Sequence, residues 1–265
     1  MKPLHPLFAG RRPTLHIAHR GGAALAPENT LAAFRAAVEH WRTDMLELDV
    51  HFSRDGEAWV SHDPTVDRCT DGSGAIAELD SAALAGLDAG HRFTRDGATF
   101  PFRGTGVRLP RLVDVLAAFP THLFNLDLKV NTAAAAEALA PLLRPALGRV
   151  CVGAEWDERA AHLAALLPGG CLFYPREALT AFVICALNGE PPPEDERYAV
   201  LDMPLAYEEM RVVTPALLAE ARAGGKWVNV WTIDDPAQMR RLIADGVGGI
   251  MTDRPDLLRE VLGGS

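Results

Sequence analysis

The stretch MLELDVHF at Met45–Phe52 bears on fold and chemistry together. In an extended strand successive side chains alternate, so Leu46, Leu48 and Val50 share one face and Glu47, Asp49 and His51 the other. A solvent-facing strand with acidic residues is one way to use this pattern. A barrel strand is another: its apolar face packs on a helical shell and its acidic face looks into the lumen. There two unpaired carboxylates are costly to bury, and a divalent cation removes that cost. Oxygen-only ligands favour Mg²⁺ or Ca²⁺ over zinc.

Outward from this strand, short apolar runs alternate with Ala/Leu-rich helical patterns, the βαβα signature of a parallel sheet. The expected strands are Leu15–Ala18, Met45–Phe52, Leu123–Val130, Val150–Ala154, Cys171–Phe173, Ala199–Asp202, Trp227–Trp231 and Gly249–Met251. Helices are expected at Thr30–His40, Thr132–Leu142, Glu158–Leu167, Leu179–Leu187, Pro215–Ala223 and Pro236–Asp245. Thr30 precedes apolar residues at Leu31, Phe34, Ala37 and Val38, which makes it an N-cap, and Pro236 after Asp234-Asp235 marks a second helix start. About eight strands in this length favour a closed (β/α)8 TIM barrel over an open doubly wound sheet. The reading is a single domain over residues 1–265 with an insertion after the second strand. The insertion is Asp63–Pro110, too long for a simple βα loop and read as an excursion on the catalytic face, with a short helix near Ser81–Leu87. Gly189–Arg197, with its three prolines, reads as an exposed rigid loop.

Composition narrows the classes. With 265 residues and a formal charge of -9, a basic nucleic-acid binder is excluded, and 48% hydrophobic content excludes disorder. One α/β barrel typically takes about 250 residues. Cys69, Cys151, Cys171 and Cys185 form no CxxC pair, so neither a disulfide framework nor a thiolate zinc site is expected. The N-terminal stretch carries prolines and Arg11-Arg12 where a secretory signal needs an unbroken apolar run, and reads as a leader into the first strand. No apolar run approaches the roughly 20 residues of a membrane span. The expectation is a soluble, cytoplasmic protein without stable membrane association. Its oligomeric state is not legible.

Two histidines stand at strand exits, His19 after the first strand and His62 after the run Ala58–Ser61. Taken singly, each reads more readily as a structural histidine. Together, beside a carboxylate pair at the catalytic end of a barrel, they suggest an acid and a base on opposite sides of a bond. The other seven histidines have no such setting. In FNLDLKV at Phe124–Val130, Asn125, Asp127 and Lys129 share a face; Asp127 completes a cation site, and Lys129 meets a phosphate held there. The alternative is a plain Asp127–Lys129 ion pair. Arg20 offers a bidentate fork to phosphate oxygens.

Four motifs carry a resemblance: HRGG-x4-PENT-x2-AF at His19–Phe34, LELDVHFSRDG at Leu46–Gly56, SHDPTVDRCTDGSG at Ser61–Gly74, and VWTIDD with MTDRPD near the end. The chain resembles the glycerophosphodiester phosphodiesterase family from Ala18 to Leu257, with the weakest match between about Val130 and Met210. The resemblance implies a TIM barrel and one divalent cation, Mg²⁺ or Ca²⁺. It also implies hydrolysis of a small-molecule glycerophosphodiester to sn-glycerol 3-phosphate and an alcohol. Position by position it implies Glu47, Asp49 and Asp127 as metal ligands, His19 and His62 as the acid/base pair, Arg20 and Lys129 as phosphate contacts, and Trp231 as a substrate-pocket aromatic. Asp127 departs from the family's N-x-E-x-K pattern by one methylene. Glu28 and Asn29 read as supporting residues. Two other readings stand beside this one. A phospholipase D-like or lysophospholipase D-like relative is disfavoured because no long exposed apolar loop is visible. A non-catalytic barrel binding phosphorylated metabolites is disfavoured because binding alone does not need both histidines.

Overall fold

Eight parallel strands follow one another around a cylinder in the computed structural model, which describes residues 2–263. They are β1 (Leu15–Ala18), β2 (Met45–Phe52), β4 (Leu123–Leu128), β5 (Val150–Gly153), β6 (Cys171–Leu172), β7 (Val200–Pro204), β10 (Trp227–Trp231) and β11 (Gly249–Thr252). The hydrogen-bonded path runs β6-β5-β4-β2-β1-β11-β10-β7. A parallel bridge from Phe173 to Val200 joins its two ends, so the expected TIM barrel is what the chain forms. Three smaller strands lie outside the cylinder: β3 (Ala58–Val60) runs antiparallel to β2, and β8 (Ala206–Tyr207) pairs with β9 (Met210–Arg211) as a hairpin. The domain reading of residues 1–265 includes Met1, Gly264 and Ser265, which lie outside the described residues.

The shell is built of α1 (Leu31–Glu39), α3 (Leu112–Ala118), α4 (Ala133–Leu143), α5 (Asp157–Leu166), α6 (Arg176–Asn188), α7 (Pro215–Ala223), α8 (Pro236–Asp245) and α9 (Pro255–Val261), while α2 (Ser81–Gly86) belongs to the excursion after β3. Thr30 caps α1 by accepting from the Ala33 N–H, as the sequence predicts; α8 starts at the expected Pro236, and Asp235 caps it by accepting from the Gln238 N–H. Helix α6 starts three residues earlier than expected, at Arg176 after Pro175. α3, α9 and the β8–β9 hairpin are not anticipated at all.

Alternation divides the strands as expected. Leu46, Leu48 and Val50 enter the shell cluster with Phe124, Leu126 and Leu128. A second apolar cluster, including Leu15, Ile17, Met45, Leu123 and Trp227, fills the lower lumen. The N-terminal leader closes its floor: Pro6–Phe8 forms a 3₁₀ turn, and Phe8 stacks on Trp227 with ring centroids 4.4 Å apart. A packed apolar floor leaves the polar end of the lumen as the open one.

Candidate active site

Above the floor the inward side chains become polar. Parallel register pairs Glu47 with Asn125 and Asp49 with Asp127, which sets the carboxylates of β2 and β4 side by side. Glu47 and Asp49 are buried, at 6% and 2% exposure. Burial, then the charge of Asp49, pushes the Glu47 carboxyl well above its ordinary range. Burial acts the same way on Asp49 but is outweighed by Lys129 and Arg20, which hold that carboxyl low.

The cations meet these carboxylates directly. The Lys129 ammonium donates to Asp127 Oδ2 at 2.6 Å and lies 3.1 Å from Asp49 Oδ1. Arg20 Nε stands 3.5 Å from Asp49 Oδ2, and the Arg20 backbone N–H donates to Glu47 Oε2 at 2.8 Å. Asn29 Nδ2 donates to Asp49 Oδ2 at 2.9 Å. The ion pair between Asp127 and Lys129 is therefore formed. Among the described residues no three His, Cys, Asp or Glu side chains are grouped as a metal ion would need. The ammonium of Lys129 bridges two of the three expected ligands.

The donor set nevertheless suits a hard cation. Asp127 Oδ1 is buried with no hydrogen-bond partner, and burial raises the Asp127 carboxyl. Glu47, likewise raised, lacks enough positive charge nearby to hold it ionised. An oxygen-only group with an orphaned acceptor and surplus buried acidity fits Mg²⁺ or Ca²⁺.

Both histidines reach the same cavity. His19 Nδ1 donates to Asp253 Oδ1 at 2.7 Å, and His62 Nδ1 to Asp63 Oδ1 at 2.8 Å. His19 Nε2 lies 3.9 Å from Glu47 Oε2. Burial lowers the His19 pKa, but Glu47 and Asp253 outweigh it and the net shift is upward. His51, one of the seven histidines to which the sequence gives no catalytic setting, is structural: its Nε2 donates to the His62 carbonyl at 3.0 Å and fixes that loop.

The turn after β1 depends on its glycines. Arg20 has φ 50°, and a Cβ at Gly21 would stand 2.8 Å from Ala33 Cβ, while one at Gly22 would stand 2.7 Å from Pro255 Cγ. Close packing on α1 and α9 requires the Gly-Gly pair. Glu28 accepts from Arg20 at 3.1 Å and from both Arg68 guanidinium nitrogens at 2.7 and 2.8 Å; Arg68 in turn donates to Asp63 at 2.6 Å. A continuous chain of ion pairs thus runs from Arg20 to the carboxylate behind His62.

Asp253, Asp63 and Arg68 carry no role in the sequence reading. Asp63 had a signal, since it follows His62 directly; Asp253 lies 234 residues from His19 and only barrel closure brings them together. Asp202 was also missed. It accepts from Asn125 and Asn229, each at 2.7 Å, and burial pushes its carboxyl up to about 7.

The cavity measures about 920 Å³ and includes Trp231, which is 42% exposed. Its outer part is apolar, lined by α6 and the β8–β9 hairpin. Exposed apolar side chains therefore stand beside the site, on a helix and a short hairpin and not on the long apolar loop that the sequence lacks.

A TIM barrel with charged and imidazole groups gathered at one mouth of the lumen defines an enzyme acting on an anionic substrate at the strand ends. A profile of the glycerophosphoryl diester phosphodiesterase family matches residues 19–257, and the chain belongs to that family. It is a phosphodiesterase. A glycerophosphodiester phosphodiesterase of Caldanaerobacter subterraneus subsp. tengcongensis is 31% identical over 250 residues, covering 92% of this chain and 96% of that one. The crystal structure of glycerophosphodiester phosphodiesterase from Agrobacterium tumefaciens superposes with a TM-score of 0.74 at 27% identity, covering 92% of this chain and 99% of that one. An Oleispira antarctica phosphodiesterase in complex with its product sn-glycerol-3-phosphate shares the fold, with a TM-score of 0.74 at 23% identity over 93% of this chain and 95% of that one.

Proposed function

We propose that the chain is a single catalytic domain hydrolysing glycerophosphodiesters to sn-glycerol 3-phosphate and an alcohol, with His19 and His62 exchanging the protons. The observation that carries this reading is the matched pair of imidazoles. Each has Nδ1 bound to a carboxylate, which leaves Nε2 as the proton-exchanging nitrogen in the cavity. One ring takes the proton of the attacking hydroxyl and the other returns one to the departing alkoxide. Arg20 and Lys129 bind the phosphate oxygens. Lys129 must then share its ammonium between Asp127 and substrate, which its three N–H donors permit. Trp231 covers the substrate from the rim.

Glu47, Asp49 and Asp127 are the residues that would hold a divalent cation, Mg²⁺ or Ca²⁺. Bound there, the cation supplies charge stabilisation at a phosphoryl oxygen. The formal charge of -9 makes such local compensation necessary for an anionic diester to enter.

The test is incubation with a panel of glycerophosphodiesters and either Mg²⁺ or Ca²⁺, with coupled detection of glycerol 3-phosphate. Release from at least one member is expected. Binding by calorimetry with no product from any member would replace this reading with a phosphometabolite-binding barrel.

A further inference from the structure

The loop after His62 supplies Arg68, a residue that neither the carboxylate set nor the proton exchange uses. Its guanidinium is the hub of the ion-pair chain. Nη1 and Nη2 donate to the two Glu28 oxygens at 2.7 and 2.8 Å, Nε donates to Asp63 Oδ2 at 2.6 Å, and Nη2 also reaches Asp63 Oδ1 at 3.2 Å. Each of these carboxylates has its remaining side-chain contact with a group of the site. Glu28 Oε1 accepts from Arg20 Nη1 at 3.1 Å, and Asp63 Oδ1 from His62 Nδ1 at 2.8 Å. An exposed ion pair is ordinarily worth little, and a clamp that merely closes the loop is the plain alternative. The loop does not depend on one. The Val66 N–H donates to the Gly74 carbonyl at 3.0 Å, the Ile76 N–H to that of Pro64 at 2.9 Å, and Thr70 Oγ1 to that of Val66 at 2.8 Å. Val66 and Ile76 are buried with Trp59 and Leu84 in the excursion's own apolar cluster. The groups that lack constraint are Arg20 and His62. Among the described residues the Arg20 guanidinium donates one hydrogen bond, to Glu28, and its Nε has no partner; the His62 ring has Asp63 alone. Burial works against the Glu28 charge, but Arg68 and Arg20 outweigh it and hold that carboxyl low. Hydrogen bonds from Arg68 hold the Asp63 carboxyl down at about 2, which keeps it an acceptor facing the ring.

We propose that Arg68 is a positioning residue for the hydrolysis: through Glu28 it aims Arg20 at the phosphate, and through Asp63 it holds the His62 ring with Nε2 in the cavity. The inference rests on the glycerophosphodiester reading above and adds to it a side chain that acts only through its two carboxylate partners. Without the Arg68 fork, Glu28 turns to take more of the Arg20 guanidinium and draws that cation off the phosphate. Asp63, with Oδ2 vacated, is free to rotate, and the imidazole is no longer confined to its Nδ1–H tautomer. A misplacement of about 1 Å in such a group costs up to about 10² in rate. Lysine is no substitute, because one ammonium is a point charge that cannot lay N–H groups on both carboxylates in the geometry of a planar fork.

The experiment measures kcat for wild type, Arg68→Ala and Arg68→Lys on whichever glycerophosphodiester the wild type turns over. A fall of about 10- to 100-fold is expected in both variants. The Arg68 side chain is 48% exposed, so free guanidinium can enter the cleft that Arg68→Ala leaves. Low-millimolar guanidinium chloride is expected to raise kcat of that variant at least about fivefold, by restoring the planar fork, while sodium chloride at the same ionic strength does not. A variant damaged only in its folding is not repaired by a denaturant, so rescue separates positioning from structure. A kcat within about twofold of wild type in Arg68→Ala overturns the inference, as does a loss that guanidinium leaves untouched. If the wild type turns over no diester, the hydrolytic reading fails and the His62 ring is read directly by ¹⁵N–¹H correlation in its neutral form. A single Nδ1–H tautomer in the wild type that becomes a mixture in Arg68→Ala then supports the positioning role, and the same single tautomer in both overturns it.

Discussion

Nδ1 of His19 lies 2.7 Å from Oδ1 of Asp253, a residue at the exit of the last barrel strand, and His62 repeats the arrangement with Asp63 at 2.8 Å. A ring whose Nδ1–H is engaged by a carboxylate has its tautomer and orientation fixed. Both sides of the site therefore carry the same device. One is assembled by barrel closure and the other by adjacent residues in a loop.

Replacing either ring tests their work. His19→Ala and His62→Ala are each expected to lower kcat by about 10² to 10⁴, the usual worth of a general acid or base. Asp253→Asn, which keeps the ring but removes the charge that orients it, is expected to cost at least about tenfold. Circular dichroism establishes that each variant is folded. Near-wild-type rates in both alanine variants would return the histidines to a structural role.

The His19 pKa has a consequence for stability. Its neighbours Glu47 and Asp253 raise it above the ordinary value of about 6.5 despite burial. A raised pKa means that the folded chain binds this proton more tightly than the unfolded one. The resulting stabilisation is fully present below about pH 6.5 and is lost as pH climbs through the higher folded value. The gap in Tm between wild type and His19→Ala should thus narrow from about pH 6 to about pH 9. A gap that widens over that interval contradicts the assignment.

Removal of divalent ions is a separate test. Exhaustive EDTA dialysis should abolish turnover, and added Mg²⁺ or Ca²⁺ should restore it, because buried Glu47 and the unpartnered Asp127 Oδ1 lack sufficient positive charge. Undiminished hydrolysis of glycerophosphocholine after dialysis would leave these carboxylates as partners of Lys129 and Arg20 alone.

Much of this was legible in the sequence, for physical reasons. Period-two alternation over Met45–Phe52 survives because one face must meet the shell and the other the lumen, so Glu47 and Asp49 could be placed without coordinates. β1, β2 and β10 begin and end where their patterns do. The failures are equally specific. Helix α9 follows β11 after only Asp253 and Arg254, and its seven residues are too few for a clear helical period. The β8–β9 hairpin has two-residue strands, and an exposed Tyr207 or Met210 gives no burial pattern to read. The apolar outer part of the cavity therefore has no signature in the sequence. The ion pair of Lys129 with Asp127 was only one of two options, because alternation puts residues on a common face but does not choose their partners.

The floor of the barrel permits a clean separation of stability from catalysis. Phe8 is 2% exposed and stacks on Trp227 at an interplanar angle of 6°, below the polar layer that contains Asp202 and Asn229. Phe8→Ala removes a ring from a packed floor that the short Pro6–Phe8 turn cannot close by collapsing, and should cost about 3–5 kcal/mol. For a chain of this size that corresponds to a Tm lower by about 5–10 °C. Trp227 Nε1 still donates to Asn229 at 3.0 Å, and Asn229 to Asp202 at 2.7 Å, so the polar layer retains its own hydrogen bonds. Well below the lowered Tm, kcat should therefore stay within about twofold of wild type, a change worth less than about 0.5 kcal/mol. Thermal melts and initial rates on the same preparation decide it: a large loss of kcat with an unchanged Tm would mean that the leader acts on the site and not on the floor.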